Sequence, residues 1–195
     1  MSRPLRALIL LVFVAACGAR DTSAPDTLDD ACVILKQKPH YSRAFRAAER
    51  KWRVPVHVQM ATIYQESRFK PDARTPFRWA IGVIPMGRQS SAYGYAQALD
   101  ATWDEYKTAT HNYRAKRDDI RDATDFMGWY FNTSLERNGV ALDDTRNQYL
   151  NYHEGHTGYR RGTHNGKAWL LRVANKVADR ADTYQAQLAT CRLRR

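Results

Sequence analysis

The chain of 195 residues is poor in the features that mark several protein classes. It has three cysteines, too few for a disulfide-dense scaffold, and their spacing is not that of a zinc site. Its longest uninterrupted apolar run, Ala7 to Ala16, is about half the length a helix needs to cross a bilayer. There is no internal repeat, which excludes solenoids and propellers, and no low-complexity tract. Basic residues outnumber acidic ones, 31 against 20, but no block of one sign exceeds a few residues, so much of the charge reads as solvated surface.

What is present begins at the N-terminus. Arg3 and Arg6 precede the apolar run Ala7 to Ala16, the layout of a secretory signal in residues 1–16. The run ends Val14-Ala15-Ala16-Cys17, which resembles the bacterial lipobox. That resemblance implies cleavage before Cys17, lipidation of Cys17 and, with Gly18 in place of Asp, an outer-membrane anchor facing the periplasm. An ordinary signal peptide is the alternative. Removal of residues 1–16 leaves 29 basic against 20 acidic residues, a formal +9. Such a charge is common in nucleic-acid binders, but export argues for anionic envelope polymers or membrane surfaces instead. Cys32 and Cys191 then form an even pair, which an oxidising compartment lets close as a disulfide; two buried thiols are the alternative.

Residues 17–27 are small, polar and aperiodic and read as a flexible tether, so the domain is expected over 28–195. Apolar spacing predicts a short helix near Leu28 to Leu35 and a second after Pro39, with Tyr41, Phe45, Ala48 and Trp52 inward. A third starts with Pro55 at its first position and carries Val56, Met60, Ile63 and Tyr64 as its stripe, stopped by Pro71. Residues 72–91, rich in Pro, Gly and Ser, read as loop with brief pairing between Trp79 and Ile84. Asp100 is expected to cap a helix through Thr110. Asp118 or Asp119 starts the next, with Ile120, Ala123, Met127, Phe131 and Leu135 inward and Gly139 as its stop. Asp143 or Asp144 caps a shorter helix reaching His153, and 155–166 reads as loop. A last helix spans 167–190, with Leu170, Ala174, Val177, Ala181, Tyr184 and Leu188 on one face.

The chemistry centres on Glu66. It sits in the last turn of the third helix, at the edge of an apolar stripe. Both the helix C-terminus and partial burial disfavour the anion there, which suits a general acid near neutral pH. Gln65-Glu66-Ser67-Arg68-Phe69-Lys70-Pro71 after an apolar helix resembles the signature of the soluble lytic transglycosylase (SLT) domain, in which the catalytic Glu opens a Glu-Ser-x-x-x-Pro motif. Ser91-Ala92-Tyr93-Gly94-Tyr95-Ala96-Gln97 resembles the family's Ser-x-x-Gly-Leu-Met-Gln, with Tyr95 and Ala96 departing from it. Asn151-Tyr152-His153-Glu154-Gly155 resembles Ala-Tyr-Asn-Ala-Gly, with Tyr152 and Gly155 matching.

The resemblance, over about residues 39–190, implies a mainly α, lysozyme-like α+β single domain with a catalytic cleft. It implies an enzyme that cleaves the bond between N-acetylmuramic acid (MurNAc) and N-acetylglucosamine (GlcNAc) in peptidoglycan without water, leaving 1,6-anhydro ends. Glu66 is the implied acid and base. Thr75, Tyr95, Gln97, Tyr152 and His153 are implied substrate contacts, and the Tyr152 hydroxyl is the one expected to orient Glu66. Gly94 is expected to let the backbone approach a sugar, and Gln97 to offer both donor and acceptor. Phe77, Trp79, Tyr93 and Tyr95 are candidate stacking rings.

The implied partners are glycan strands and, through Cys17, a membrane; recruitment by envelope machinery stays open, and nucleic acid is not expected. No cofactor is needed. The cluster His153, Glu154, His156 lacks the His-Glu-x-x-His spacing of zinc peptidases, so no metal is expected. Thr75 and Gln97 are 22 positions apart, more than the family spends, so 77–90 is an insertion decorating the cleft. A hydrolytic muramidase on the same fold and a non-catalytic peptidoglycan-binding lipoprotein are the alternatives. Glu154 and Asp72 are the first places to look for a second acid.

Overall fold

The computed structural model describes residues 23–81 and 84–192. Residues 1–16, expected as a signal segment, and Cys17 lie outside the described residues, and so does the Trp79 side chain. Among the described residues there are seven α-helices and one hairpin: α1 (Ala31–Gln37), α2 (Pro39–Trp52), α3 (Val56–Ser67), β1 (Phe77–Ala80), β2 (Ile84–Arg88), α4 (Asp100–Thr110), α5 (Ile120–Asn138), α6 (Thr145–Arg160) and α7 (Ala168–Ala189). A short 3₁₀ helix, Thr163–Gly166, joins α6 to α7. Among the described residues no helix is long and apolar enough to cross a membrane. The mainly helical, lysozyme-like single domain expected from the sequence is the one found.

Local chemistry accounts for most of these boundaries. The Asp30, Asp119 and Asp144 side chains each accept a backbone N–H in the first turn of α1, α5 and α6. Gly139 ends α5 in a left-handed conformation. Pro55 is the N-cap of α3 and not its first residue. Asp100 is likewise the first residue of α4, with Leu99 at the cap; the cap function passes to Ser91, whose hydroxyl accepts from Asp100 N at 3.1 Å. The helix α6 runs past its expected end. Gly155 (φ 72°, ψ 157°) breaks the helical path once, and the helix resumes to Arg160. Residues 23–27, expected as free tether, lie against the fold: Pro25 is buried, Asp26 N donates to Gln37 and Lys38 donates to Ser23.

The helix α3 is the spine. Val58, Met60, Ala61 and Ile63 are fully buried, together with the polar Gln59 and Thr62, so it is covered nearly all round and not along one stripe. The helix α7 packs along one flank, and the pair α2–α5 closes another. Gly128 makes the α2–α5 contact possible, because a Cβ there would sit 2.3 Å from the Trp52 ring. Asp125 fixes the same contact, accepting from Trp52 Nε1 (2.7 Å), Tyr106 (2.8 Å) and Lys51 (2.9 Å). Leu135, expected inward on α5, is exposed.

Cys32 and Cys191 are joined in a disulfide with Cα atoms 5.6 Å apart, tying α1 to the end of α7. The inward stripe of α7 is buried from Leu170 to Tyr184. Beside the bridge, α7 grips the chain preceding α1: Gln187 accepts from Ala31 N and donates to Asp29 O, and Arg180 pairs with Asp29 at 3.1 Å.

Candidate active site

Three segments far apart in sequence converge at the C-terminal end of α3. Glu66 lies one residue before that end, and the chain then takes two successive left-handed residues, Arg68 (φ 52°) and Phe69 (φ 59°). Neither is glycine, so the turn is strained by about 1–2 kcal/mol per residue and needs outside support. Phe69 supplies it: its side chain is fully buried and stacks on Tyr41 at 6.0 Å. Tyr41 in turn shares a hydroxyl–hydroxyl hydrogen bond of 3.0 Å with Tyr95 in the second segment.

The second segment is held by Arg117. Its guanidinium donates to Ser91 O (3.0 Å) and Ala98 O (2.9 Å) and pairs with Asp100 (2.7 Å), while its own carbonyl accepts from Tyr95 N (3.1 Å). That carbonyl fixes the identity of Gly94, where φ is +79° and a Cβ would lie 2.1 Å from Arg117 O. The close approach that requires glycine here is to the protein's own backbone.

The third segment is α6. The Tyr152 hydroxyl donates to Ala96 O, which sews α6 onto the second segment. The Tyr152 hydrogen is thus spent on a backbone carbonyl, although the hydroxyl lies near enough to Glu66 to feel that charge. The side chain hydrogen-bonded to Glu66 is Tyr149, three residues earlier and buried. Sequence reading missed both Tyr149 and Arg117. A spacing of three does place Tyr149 beside Tyr152 on the helix, a signal available in the sequence but shared with ordinary core positions. Arg117 leaves no such signal.

Electrostatics single out Glu66. The residue keeps some access to solvent but its carboxyl lies deep among protein atoms. Desolvation raises its pKa from 4.5 to about 7, against the Tyr149 hydrogen bond, which lowers it. No charge from another carboxylate contributes to that shift among the described residues. Desolvation and the nearby Glu66 charge also push the Tyr149 and Tyr152 hydroxyls up, so both stay neutral donors.

The other expected site residues meet different fates. Tyr95 is 3 % exposed and is a core ring, so it cannot serve as a sugar platform. Tyr93 has Arg74 over its ring at 4.1 Å and Arg117 at 5.5 Å, and its hydroxyl donates to Asp118. Gln97, at a left-handed φ of 49°, spends both amide hydrogens on Ala73 O (2.9 Å) and Gly94 O (2.8 Å), leaving its carbonyl oxygen as an acceptor. Thr75 donates to Ser90 O (3.0 Å) and accepts from Ser90 N (3.3 Å), closing the neck of the β1–β2 hairpin. That hairpin is the insertion, with Phe77 and Ile81 exposed.

Glu154 is not poised as a second acid. Its carboxylate accepts from Lys167 (2.7 and 2.8 Å), Thr163 and His153. Although desolvation alone would raise its pKa, these partners hold it at about 2. Its side chain is 4 % exposed because those partners cover it, while few other atoms surround it. Asp72 is exposed. His153 is partly exposed beside Glu154. Among the described residues no group of three or more His, Cys, Asp or Glu is placed to hold a metal ion.

A carboxyl with its pKa near 7, a tyrosine against it and a loop anchored by a neighbouring helix thus come together at the end of α3, an arrangement able to give and take a proton near neutral pH. The family model of the transglycosylase SLT domain matches residues 5–191, and the chain belongs to that family. Its members' domain is associated with lytic transglycosylase activity on peptidoglycan. None of the curated proteins matches the chain.

Proposed function

We propose that the protein cleaves the MurNAc–GlcNAc bond of peptidoglycan with one carboxyl group and leaves 1,6-anhydro-MurNAc ends. The observation that carries this is Glu66, whose pKa is raised to about 7 by burial with no other carboxylate acting on it among the described residues. At neutral pH a sizeable fraction is protonated and can donate to the glycosidic oxygen as the C1–oxygen bond breaks. The Glu66 carboxylate so formed then takes the proton of the 6-hydroxyl as that oxygen closes on C1. The substrate's acetamido group stabilises the oxocarbenium-like state in the place of a second carboxylate, an accepted departure from the two-carboxylate scheme. Ring closure within the sugar has an effective molarity on the order of 10⁵ M or more, which lets it outrun water.

Glu154 and Asp72 give this reading its support by their unsuitability. The first is an ion-paired carboxylate with a pKa of about 2, a poor base; the second is exposed. Mass spectrometry of muropeptides released from purified sacculi tests the proposal. Products lighter by one water are expected, and predominantly reducing ends move the protein to the muramidase reading. Sacculi that release nothing leave it a binder.

The proposed address is the bacterial envelope, with residues 1–16 removed and Cys17 lipidated, so that the domain faces the periplasm from the outer membrane. The intact mass of the mature N-terminus tests this, and an unlipidated Cys17 overturns it.

A further inference from the structure

A row of aromatic rings leads outward from Glu66 along α6 and onto α7. Tyr149, the partner of Glu66, has its ring 6.5 Å from His153, and His153 lies 5.2 Å from Trp169 with the rings nearly perpendicular (76°). Exposure rises along the row, from 4 % at Tyr149 to 35 % for the His153 side chain and 50 % at Trp169. A tryptophan is the side chain best able to anchor a flat apolar face, and this one lies half open to solvent. The edge-on contact with His153 leaves indole surface free for a further ring.

Trp169 is also held in place. It is the second residue of α7, and the cap residue before that helix, Lys167, is bound through its ammonium to both Glu154 oxygens. Thr163, in the 3₁₀ turn, donates to the same carboxylate. Glu154 thus clasps the α6–α7 connection onto α6, and its third partner is His153 Nδ1 at 3.1 Å. In the neutral imidazole that bond uses the Nδ1 hydrogen and leaves Nε2 as an acceptor for a hydroxyl.

We infer that Trp169 and His153 form a distal sugar subsite, in which a GlcNAc or MurNAc ring of the glycan strand stacks on Trp169 and gives a hydroxyl hydrogen bond to His153 Nε2. This rests on the reading of Glu66 as the cleaving acid, since the row takes its direction from that residue. Glu154, Lys167 and Thr163 are positioning residues of the subsite. The charged clasp carries no part of the bond cleavage.

The test uses Glu66→Gln protein, so that sugars are bound and not cut, and calorimetry with the GlcNAc disaccharide and tetrasaccharide. Adding Trp169→Ala is expected to weaken the tetrasaccharide about three- to tenfold, leaving the disaccharide within about twofold. Trp169→Phe is expected to restore tetrasaccharide binding to within about twofold. Unchanged tetrasaccharide affinity in Trp169→Ala overturns the subsite, and so does an equal loss for both sugars, which removes its distal placement. Absence of any sugar binding by the Glu66→Gln protein also overturns it. Muropeptide release by the wild type then shows whether the reading of Glu66 stands without it. Trp169 is half exposed, so thermal melts of these variants are expected to match the parent.

Discussion

The Tyr149 hydroxyl stands against the Glu66 carboxyl, while the hydroxyl of Tyr152, three residues on, is spent on the Ala96 carbonyl. The two tyrosines thus divide two tasks, tuning an acid and closing the fold around it. Tyr149→Phe removes the one hydrogen bond that lowers the Glu66 pKa. The pKa should then move above about 7, carrying the alkaline limb of the activity–pH profile upward, with kcat reduced roughly ten- to hundredfold as expected for a hydrogen bond to a charged group. Tyr152→Phe should leave the limb in place and cost about 1 kcal/mol of stability. A limb that moves in Tyr152→Phe and stays in Tyr149→Phe would return the orienting role to Tyr152.

Glu66 also sets a pH dependence of stability. Its folded pKa of about 7 exceeds the reference value of 4.5, so between those values the folded protein holds a proton the unfolded chain has released. Stability from this group is complete below about 4.5, falls as pH rises through about 7, and is gone above it. Glu66→Gln removes the pH-dependent loss. The variant should lack lytic activity, match the wild type near pH 4 and exceed it by roughly 1–3 kcal/mol at pH 8 in denaturant titrations. Equal stability of the two proteins at pH 8 would show that the carboxyl is well solvated.

Gly94→Ala should harm the site without touching a catalytic group. The added Cβ meets Arg117 O, and the left-handed φ disfavours alanine besides. A loss of at least 2 kcal/mol is expected, with reduced activity, because Tyr95 N and Tyr152 both depend on the placement of this loop. Calorimetric melts check the first expectation and sacculus digestion the second.

The Cys32–Cys191 bridge should stabilise without being needed for the fold. Chain-entropy arguments put its contribution at about 2–5 kcal/mol. Asp29 and Ala31 remain held by Arg180 and Gln187 in its absence. A Cys32→Ser/Cys191→Ser protein is therefore expected to fold and melt at a lower temperature, while keeping its rate of sacculus digestion below that temperature.

The helices were legible where apolar spacing and a cap coincide, as in α5 between Asp119 and Gly139 and in α7 up to its cysteine. The hairpin was legible in part: the brief pairing expected over Trp79 to Ile84 is there, but Gly and Pro in 82–87 hide how far the two strands extend. The end of α6 lies beyond the expected one because Gly155 reads as a stop, whereas the chain breaks there and turns helical again. At the site, a motif names residue types but not their partners. Gly94 and Gln97 match the motif, yet Arg117 and Ala73, far from them in sequence, decide what their backbone and amide do. Tyr95 departs from the motif because a Tyr41 hydroxyl waits for it in the core. Such pairings are tertiary facts, and no local pattern encodes them.

The bridge between Cys32 and Cys191 spans 159 positions of the chain, so the backbone between them is a closed covalent loop. The most exposed apolar residue noted above, Ile81, lies within that loop at the turn of the hairpin. A protease that cuts there produces no fragment: both pieces stay on one molecule until the disulfide is reduced or a second cut is made. A copy nicked in this way keeps its α1 and α7 ends joined.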